Sequence, residues 1–236
     1  MDGFRVVQIS DLHVSATIRR PYVEKVVAMT NELQPDLVVL TGDLMDGSVE
    51  MLRDDFAPLG NFKSIHGTFA VTGNHEYYSG ADRWIAHFNT LGIKTLRNEH
   101  VAIGESTGSV AGFDLAGIDD SSAHRFGGDH GADLSAAVKG RDPRRELVLL
   151  AHQPRQVADA PQHGVGLQLS GHTHGGQIWP WGWVVRLVQP YVAGLHKHAA
   201  NTWIYVSRGT GYWGPPMRLG AQHELTLLTL KSTRPT

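Results

Sequence analysis

Apolar residues fall in short runs along the 236-residue chain, and most runs break off at a cluster containing Gly, Asp, Asn or His. Residues 4–9, Phe-Arg-Val-Val-Gln-Ile, are rich in β-branched side chains and predict a buried strand. Ser10-Asp11-Leu12-His13 ends it. Pro21 suits the first turn of a helix, and Val23, Val26, Val27, Thr30 and Leu33 supply the i, i+3, i+4, i+7 stripe. Gln34-Pro35 closes that helix, because a residue before proline is driven out of helical angles. Residues 36–40, Asp-Leu-Val-Val-Leu, predict the next strand, which stops at Thr41-Gly42-Asp43. Strand, helix and strand form a βαβ unit, so the two strands should be parallel, with both carboxylate-bearing loops at their C-terminal ends. Open α/β sheets build sites on that edge.

The same grammar continues downstream. A helix is expected over residues 49–59 and a strand over 67–72, ending in Gly73-Asn74-His75-Glu76. Trp84, Ile85, Phe88 and Leu91 mark an amphipathic helix. From 94 to 118 the pattern changes to short runs and turns, which predicts a second set of strands packed on the first. Residues 119–131 read as a loop and 133–139 as a helical turn or two. A strand over 146–151 ends in His152-Gln153-Pro154, and a helix starts within 155–160. The run at 165–169 leads into Ser170-Gly171-His172-Thr173-His174-Gly175-Gly176. Residues 203–207 and 224–230 predict two closing strands, and 231–236 a frayed tail. With no internal repeat or linker, one layered α/β domain over 1–236 is the simplest architecture.

Composition narrows the chemistry. The 41% hydrophobic and 19% charged fractions are those of an ordinary globular chain. A formal charge of −2 lacks the basic footprint of a nucleic-acid binder. The absence of cysteine excludes disulfides and thiolate metal sites, which leaves fourteen histidines as the nitrogen ligands on offer. No run approaches the roughly 18–20 apolar residues of a membrane span, and residues 1–3 lead straight into a strand. Localisation stays open: soluble as given, and either cytoplasmic or membrane-associated if an N-terminal segment precedes this sequence.

Five strand-end clusters stand in order: Asp11-x-His13, Gly42-Asp43, Gly73-Asn74-His75, His152 and Gly171-His172-x-His174. Together they offer two Asp, one Asn and five His. One divalent ion takes about four to six ligands, so the set suits two. Imidazole, carboxylate and amide donors without sulfur fit Mn, Fe or Zn. His172 and His174 are two residues apart and share a face, provided the adjacent glycines let the chain turn.

This ordered set resembles the motifs of the calcineurin-like metallophosphoesterase family, and the match spans essentially the whole chain. The longer stretch 171–178, ending in Gln177-Ile178, and the later Ser207-Arg208-Gly209-Thr210-Gly211 are most similar to the bacterial YkuE/YaeI-type branch. That branch often has Arg-Pro-Glu before its last strand, where this chain has Gln222-His223-Glu224. The resemblance implies a two-sheet β-sandwich flanked by helices, in four α/β/β/α layers. It implies that Asp11, His13 and His174 hold one metal, that Asn74, His152 and His172 hold the other, and that Asp43 bridges them. His75 becomes the group that protonates the leaving oxygen or stabilises the transition state. The implied reaction is phosphoester hydrolysis by in-line attack of a metal-bridging hydroxide, on phosphodiesters first. The alternatives are a phosphomonoesterase of the same mechanism or a metal-binding scaffold without catalysis. The substrate could be lipid-, nucleotide- or cell-wall-linked, and oligomeric state is not legible.

Other features carry blander expectations. Glu76 either orients His75 or is an exposed helix-start acid. The aromatic stretch from Trp179 through Trp181 and Trp183 to Tyr191 reads first as packing. Its alternative is a rim for an apolar leaving group or a peripheral membrane contact, against which Pro180, Gly182 and Pro190 argue by breaking any regular amphipathic helix. Arg186, Arg208 and Arg218 are expected in surface ion pairs, with phosphate contact the alternative. His124, Arg125 and His130 are expected in a solvated loop, with a lid the alternative, and His196 and His198 are not expected to be ligands.

Overall fold

The computed structural model describes residues 2–104 and 112–231; the tail expected at 232–236 lies outside them. β1 (Phe4–Ile9), α1 (Arg20–Glu32) and β2 (Leu37–Leu40) form the expected βαβ unit, with Val7 opposite Val38 in a parallel pair. α2 (Val49–Phe56) leads to β3 (Thr68–Ala70), which pairs in parallel with β2. α3 (Asn74–Tyr78) and α4 (Ala81–Thr90) return the chain to β4 (Ile93–Thr95), parallel to β3.

The second sheet begins with β5 (Glu99–Gly104) and β6 (Gly112–Gly117). α5 (Leu134–Ala137) precedes β7 (Glu146–Leu150) and β8 (Leu167–Ser170), after which come α6 (Gly182–Val185), β9 (Gly194–Lys197) and β10 (Trp203–Val206). β11 (Thr226–Leu230) crosses back to pair antiparallel with β1. The sheet orders are therefore β11-β1-β2-β3-β4 and β5-β6-β7-β8-β10-β9.

Alternation along the strands builds the layers, because successive side chains point to opposite faces. Val7, Ile9, Val38 and Leu40 meet Val27 of α1, Phe56 of α2 and Trp84 of α4 in one core. The opposite faces of β1 and β2, through Val6 and Val39, meet Leu115, Val148, Leu150 and Leu169 of the second sheet. Leu147, Leu149 and Ile204 face outward and are covered by Leu134 of α5 and by Val157. Strands buried on both faces explain why the runs are continuously apolar. The outcome is the expected sandwich of two mixed sheets flanked by helices. Each fully buried side chain such as Phe56 or Trp84, both without exposed surface, contributes roughly 1.5–3 kcal/mol.

Four expectations are corrected. Ile93–Thr95, in the stretch expected to open the second sheet, instead extends the first, because α4 carries the chain back parallel to β3. The helix expected to Leu59 is α-helical only to Phe56 and tightens into a 3-10 turn at Ala57–Asn61, where Pro58 cannot donate its nitrogen. The helix starting after His152 is a 3-10 segment, Pro154–His163, with Pro161 inside it. β9 was not expected; its Gly-Leu-His-Lys sequence has little apolar pattern, as suits an edge strand paired only with β10.

Candidate metal centre

The C-terminal ends of β1, β2 and β3 and those of β7 and β8 meet at one edge of the sandwich. Gln8, buried between the sheets, ties that edge together: its amide donates to Thr41 Oγ1 at 2.9 Å and to the Ser170 carbonyl at 2.9 Å. Beyond the strand ends the backbone turns sharply. Asp11, His13, Asp43, His172 and His174 all have positive φ, between 49° and 71°. That region is uncommon for residues with a Cβ and costs of order 1 kcal/mol or more each. Five such residues converging on one point is the signature of a backbone over-determined by its site.

All seven expected ligands come together there. Asp11, His13 and His174 form one group, and Asp43, His152 and His172 a second, with the donor atoms of each group within 4.8 Å of one another. His13 Nε2 and His174 Nε2 are 3.1 Å apart, and His152 Nε2 lies 3.2 Å from His172 Nδ1 and 3.0 Å from Asp43 Oδ2. Two nitrogens bonded to one ion at about 2.0–2.1 Å are about 2.9–3.4 Å apart in octahedral to tetrahedral arrangements, so these spacings fit shared coordination. Asn74 adds an independent sign: its Oδ1 is buried and has no hydrogen-bond partner. A buried acceptor left bare is costly, and a cation would satisfy it.

The far sides of the rings are fixed. His152 Nδ1 donates to the Thr41 carbonyl at 2.7 Å, and His13 Nδ1 donates to Asp46 at 3.0 Å. Such outer partners set the tautomer that leaves the inner nitrogen free for a cation. Burial pushes the His172 pKa down to about 4, with the neighbouring His152 adding to the effect, and burial together with His13 and Arg218 pushes His174 well down. Both therefore stay neutral, as ligands must. Burial opposes charge on Asp43 too, but His152, His75 and His13 outweigh it and hold the carboxyl well below its usual range. Burial raises Asp11, against the attraction of His152.

His75 lies in the same cleft and is held by a residue that sequence reasoning missed. His75 Nδ1 donates to Asp46 Oδ1 at 2.6 Å, so a single carboxylate grips both His13 and His75. Burial would lower the His75 pKa, yet the Asp46 hydrogen bond and the nearby Asp43 raise it. The available signal was the second carboxylate of Asp43-x-x-Asp46 in a strand-end loop. Glu76 does neither thing expected of it. It is fully buried, and accepts from the backbone N–H groups of Asp43, Leu44 and Gly73 at 2.9, 2.8 and 2.6 Å, tying the Asp43 loop to the start of α3.

Arg218 is also more than a surface group. It donates from Nη1 to the His174 carbonyl at 3.0 Å and from Nε to the Gly211 carbonyl at 2.9 Å, and its burial lowers its pKa. Arg208 pairs with Glu224 at 3.4 Å, as expected of a surface ion pair. Arg186 lies over the Trp183 ring at 5.2 Å. His124 donates locally to the Ser121 carbonyl and Arg125 is exposed, whereas His130 packs against Tyr77 and meets Arg97 at 2.8 Å. His196 and His198 sit around Tyr191, outside the donor groups found among the described residues.

The donor groups open into a cleft of about 530 Å³, whose walls beyond Asp43, Asn74, His75, His172 and His174 are mostly apolar. Trp179, Trp181, Val188 and Trp213 line it. Here the packing expectation for the aromatic stretch fails: Trp179, Trp181 and Trp183 are 60–69% exposed. α6 is only four residues long, so the stretch forms a compact lobe of turns instead of a helix with one buried face.

Comparison with known proteins agrees with this arrangement. The family model for calcineurin-like phosphoesterases matches residues 4–176. A bovine transmembrane protein with a metallophosphoesterase domain is 43% identical over 242 residues, covering 98% of this chain and 54% of that protein. The Bacillus subtilis metallophosphoesterase YkuE is 31% identical over 252 residues, covering 98% of this chain and 80% of its own length. The chain spans 54–59% of the length of the first curated relatives it matches. A dimetal phosphatase from Danio rerio shares the fold, with a TM-score of 0.59 and 13% identity over 98% of this chain and 93% of that one. With a family model matched over residues 4–176 and relatives 31–43% identical across nearly its whole length, the chain belongs to the calcineurin-like phosphoesterase family.

Proposed function

We propose that this protein hydrolyses phosphoric esters at a binuclear centre, with phosphodiesters preferred over monoesters. The observation that carries the proposal is the pair of donor groups, Asp11-His13-His174 and Asp43-His152-His172, sharing one cleft with His75, which clusters with His13 and Asp46 in a third group but has its Nδ1 taken up by Asp46. Asp11, His13 and His174 would hold one ion and Asn74, His152 and His172 the other, with Asp43 between them. Imidazole, carboxylate and bare amide oxygen donors without sulfur suit Mn, Fe or Zn. When bound, two such ions supply an activated water and Lewis-acid stabilisation of charge on the phosphoryl oxygens. The dimetal phosphatase of like fold supports this reading.

The residues of the chain do the rest. Asp46 accepts from Nδ1 of His75 and so leaves the other ring nitrogen to carry a proton to the leaving oxygen, a contribution of roughly 10²–10⁴-fold. The Asp46 hydrogen bond and the nearby Asp43 raise the His75 pKa against burial and so favour the protonated ring. Asp43 Oδ1 accepts from the His75 backbone N–H at 2.8 Å, which locks the acid to the bridging carboxylate. The apolar walls exclude water around the ester and accommodate a greasy substituent, which supports a diester with an organic group on both sides of phosphorus.

The test is the ratio of kcat/KM for an aryl phosphodiester against the matching monoester, measured on protein stripped of metal and reloaded with Mn²⁺. A ratio well above one is expected. A ratio well below one makes the protein a monoesterase, and no turnover of either with metal bound removes the catalytic reading.

A further inference from the structure

We propose that the aromatic lobe beside the metal cleft docks on an anionic lipid bilayer. Three observations point the same way. Leu187 is 83% exposed, Val188 68% and Trp213 55%, so with the three exposed tryptophans of 179–183 they make the cleft mouth an apolar surface in water. Continuous apolar patches of this kind mark a contact surface. The lobe is also built to hold its shape. The buried Gln177 amide donates to the Trp213 carbonyl at 2.7 Å and accepts from the Trp213 N–H at 2.9 Å, and the Trp179 N–H donates to the Leu219 carbonyl at 2.8 Å. Its aromatic side chains are presented outward by a satisfied backbone.

Charge selects the partner. No Asp or Glu occurs between Asp159 and Glu224, although the chain has 23; of the four Arg and Lys residues in that stretch, Arg218 is held by backbone carbonyls and Arg208 by Glu224, which leaves Arg186 and Lys197. An anionic bilayer offers both an apolar interior and negative headgroups. Tryptophan is suited to the boundary between them, with a ring that is apolar in body and polar at one edge. Arg186 lies over Trp183, where its guanidinium can reach headgroups while its stem stays with the rings. Each such cation strengthens binding to an anionic surface by roughly five-fold. Docked this way, the cleft opens towards the headgroup layer, so under the phosphoesterase reading the ester it receives is lipid-borne.

The chain is sedimented with vesicles of phosphatidylcholine alone and of phosphatidylcholine mixed equally with phosphatidylglycerol. It should bind the mixed vesicles more tightly, and brominated acyl chains should quench its exposed tryptophans. Leu187→Glu, at a side chain that lines neither the cleft nor the core, should weaken binding about ten-fold or more. Its turnover of a soluble aryl phosphodiester should match the wild type. Absence of vesicle binding, or equal binding by Leu187→Glu, overturns the docking surface. So does wild-type self-association that Leu187→Glu abolishes without any vesicle binding. Lack of aryl ester turnover in a chain that still binds vesicles would instead count against the phosphoesterase reading and leave the surface standing.

Discussion

Gly73→Ala isolates the packing of the metal loops from backbone strain. Gly73 has φ −100° and ψ −171°, an extended conformation that alanine adopts freely. The added methyl is the whole perturbation. An ideal Cβ at this position would lie 2.2 Å from Asp43 Oδ1, 2.6 Å from Asp43 N and 2.9 Å from Asp43 Cγ. Restoring an ordinary contact requires the carboxylate to retreat by roughly 1 Å. Metal–ligand distances tolerate only about 0.2 Å, so an Asp43 displaced that far cannot serve two ions. Overpacking of this kind costs about 1–3 kcal/mol of stability, and metal affinity should fall by at least ~100-fold. The assay is metal content per chain by mass spectrometry after desalting, beside kcat/KM and chemical denaturation. Gly60→Ala is the control: its Cβ would meet nothing closer than 3.6 Å, and it should change stability by less than about 0.5 kcal/mol. A Gly73→Ala protein that kept both metals and wild-type turnover would refute the claim that Asp43 bridges them in this geometry.

Asp46→Asn should weaken metal binding by roughly 10–100-fold through His13, and at saturating metal should move the alkaline limb of the kcat/KM profile to lower pH. His75 acts while protonated, and losing the Asp46 charge removes the group that raises its pKa against burial; an unmoved limb would detach His75 from the mechanism. Glu76→Ala strands three buried backbone donors at about 1–3 kcal/mol each, so unfolding free energy should fall by roughly 3–9 kcal/mol, with Glu76→Gln in between. A change below 1 kcal/mol, read by denaturation, would show that the Asp43 loop is held by other means. Chelation should lower Tm by several degrees through lost ligand linkage, and re-addition of Mn²⁺ should restore it; an unchanged Tm after verified stripping would contradict tight binding at these donors.

Much of this molecule was legible in its sequence for a physical reason. A strand buried on both faces must be an apolar run, and a site built at its end must interrupt that run with polar residues and glycine. Asp11, Asp43, Asn74, His152 and His172 all announce themselves in this way. Asp46 and Glu76 do not, because their roles depend on which atoms meet across loops: two imidazoles for one, three backbone N–H groups for the other. The β4 assignment failed because three residues hold too little pattern to say which sheet they join. The tryptophans from 179 to 183 misled most. Apolar density has the same appearance in sequence whether it fills a core or faces outward, and only the count of neighbours in space separates the two.

The division of the donors between the sheets bears on the order in which this protein can assemble. Asp11, His13 and Asp43 follow strands of the first sheet and Asn74 opens α3 after β3, whereas His152, His172 and His174 follow strands of the second. Each half-site draws on both. A nascent chain that has completed its first 150 residues holds every carboxylate of the centre and a single ligand histidine, so neither ion can be captured in its final coordination during that stage. On the proposed ligand set, capture of either ion then waits for the segment from His152 to His174, and a bound ion would join the two sheets from outside their core.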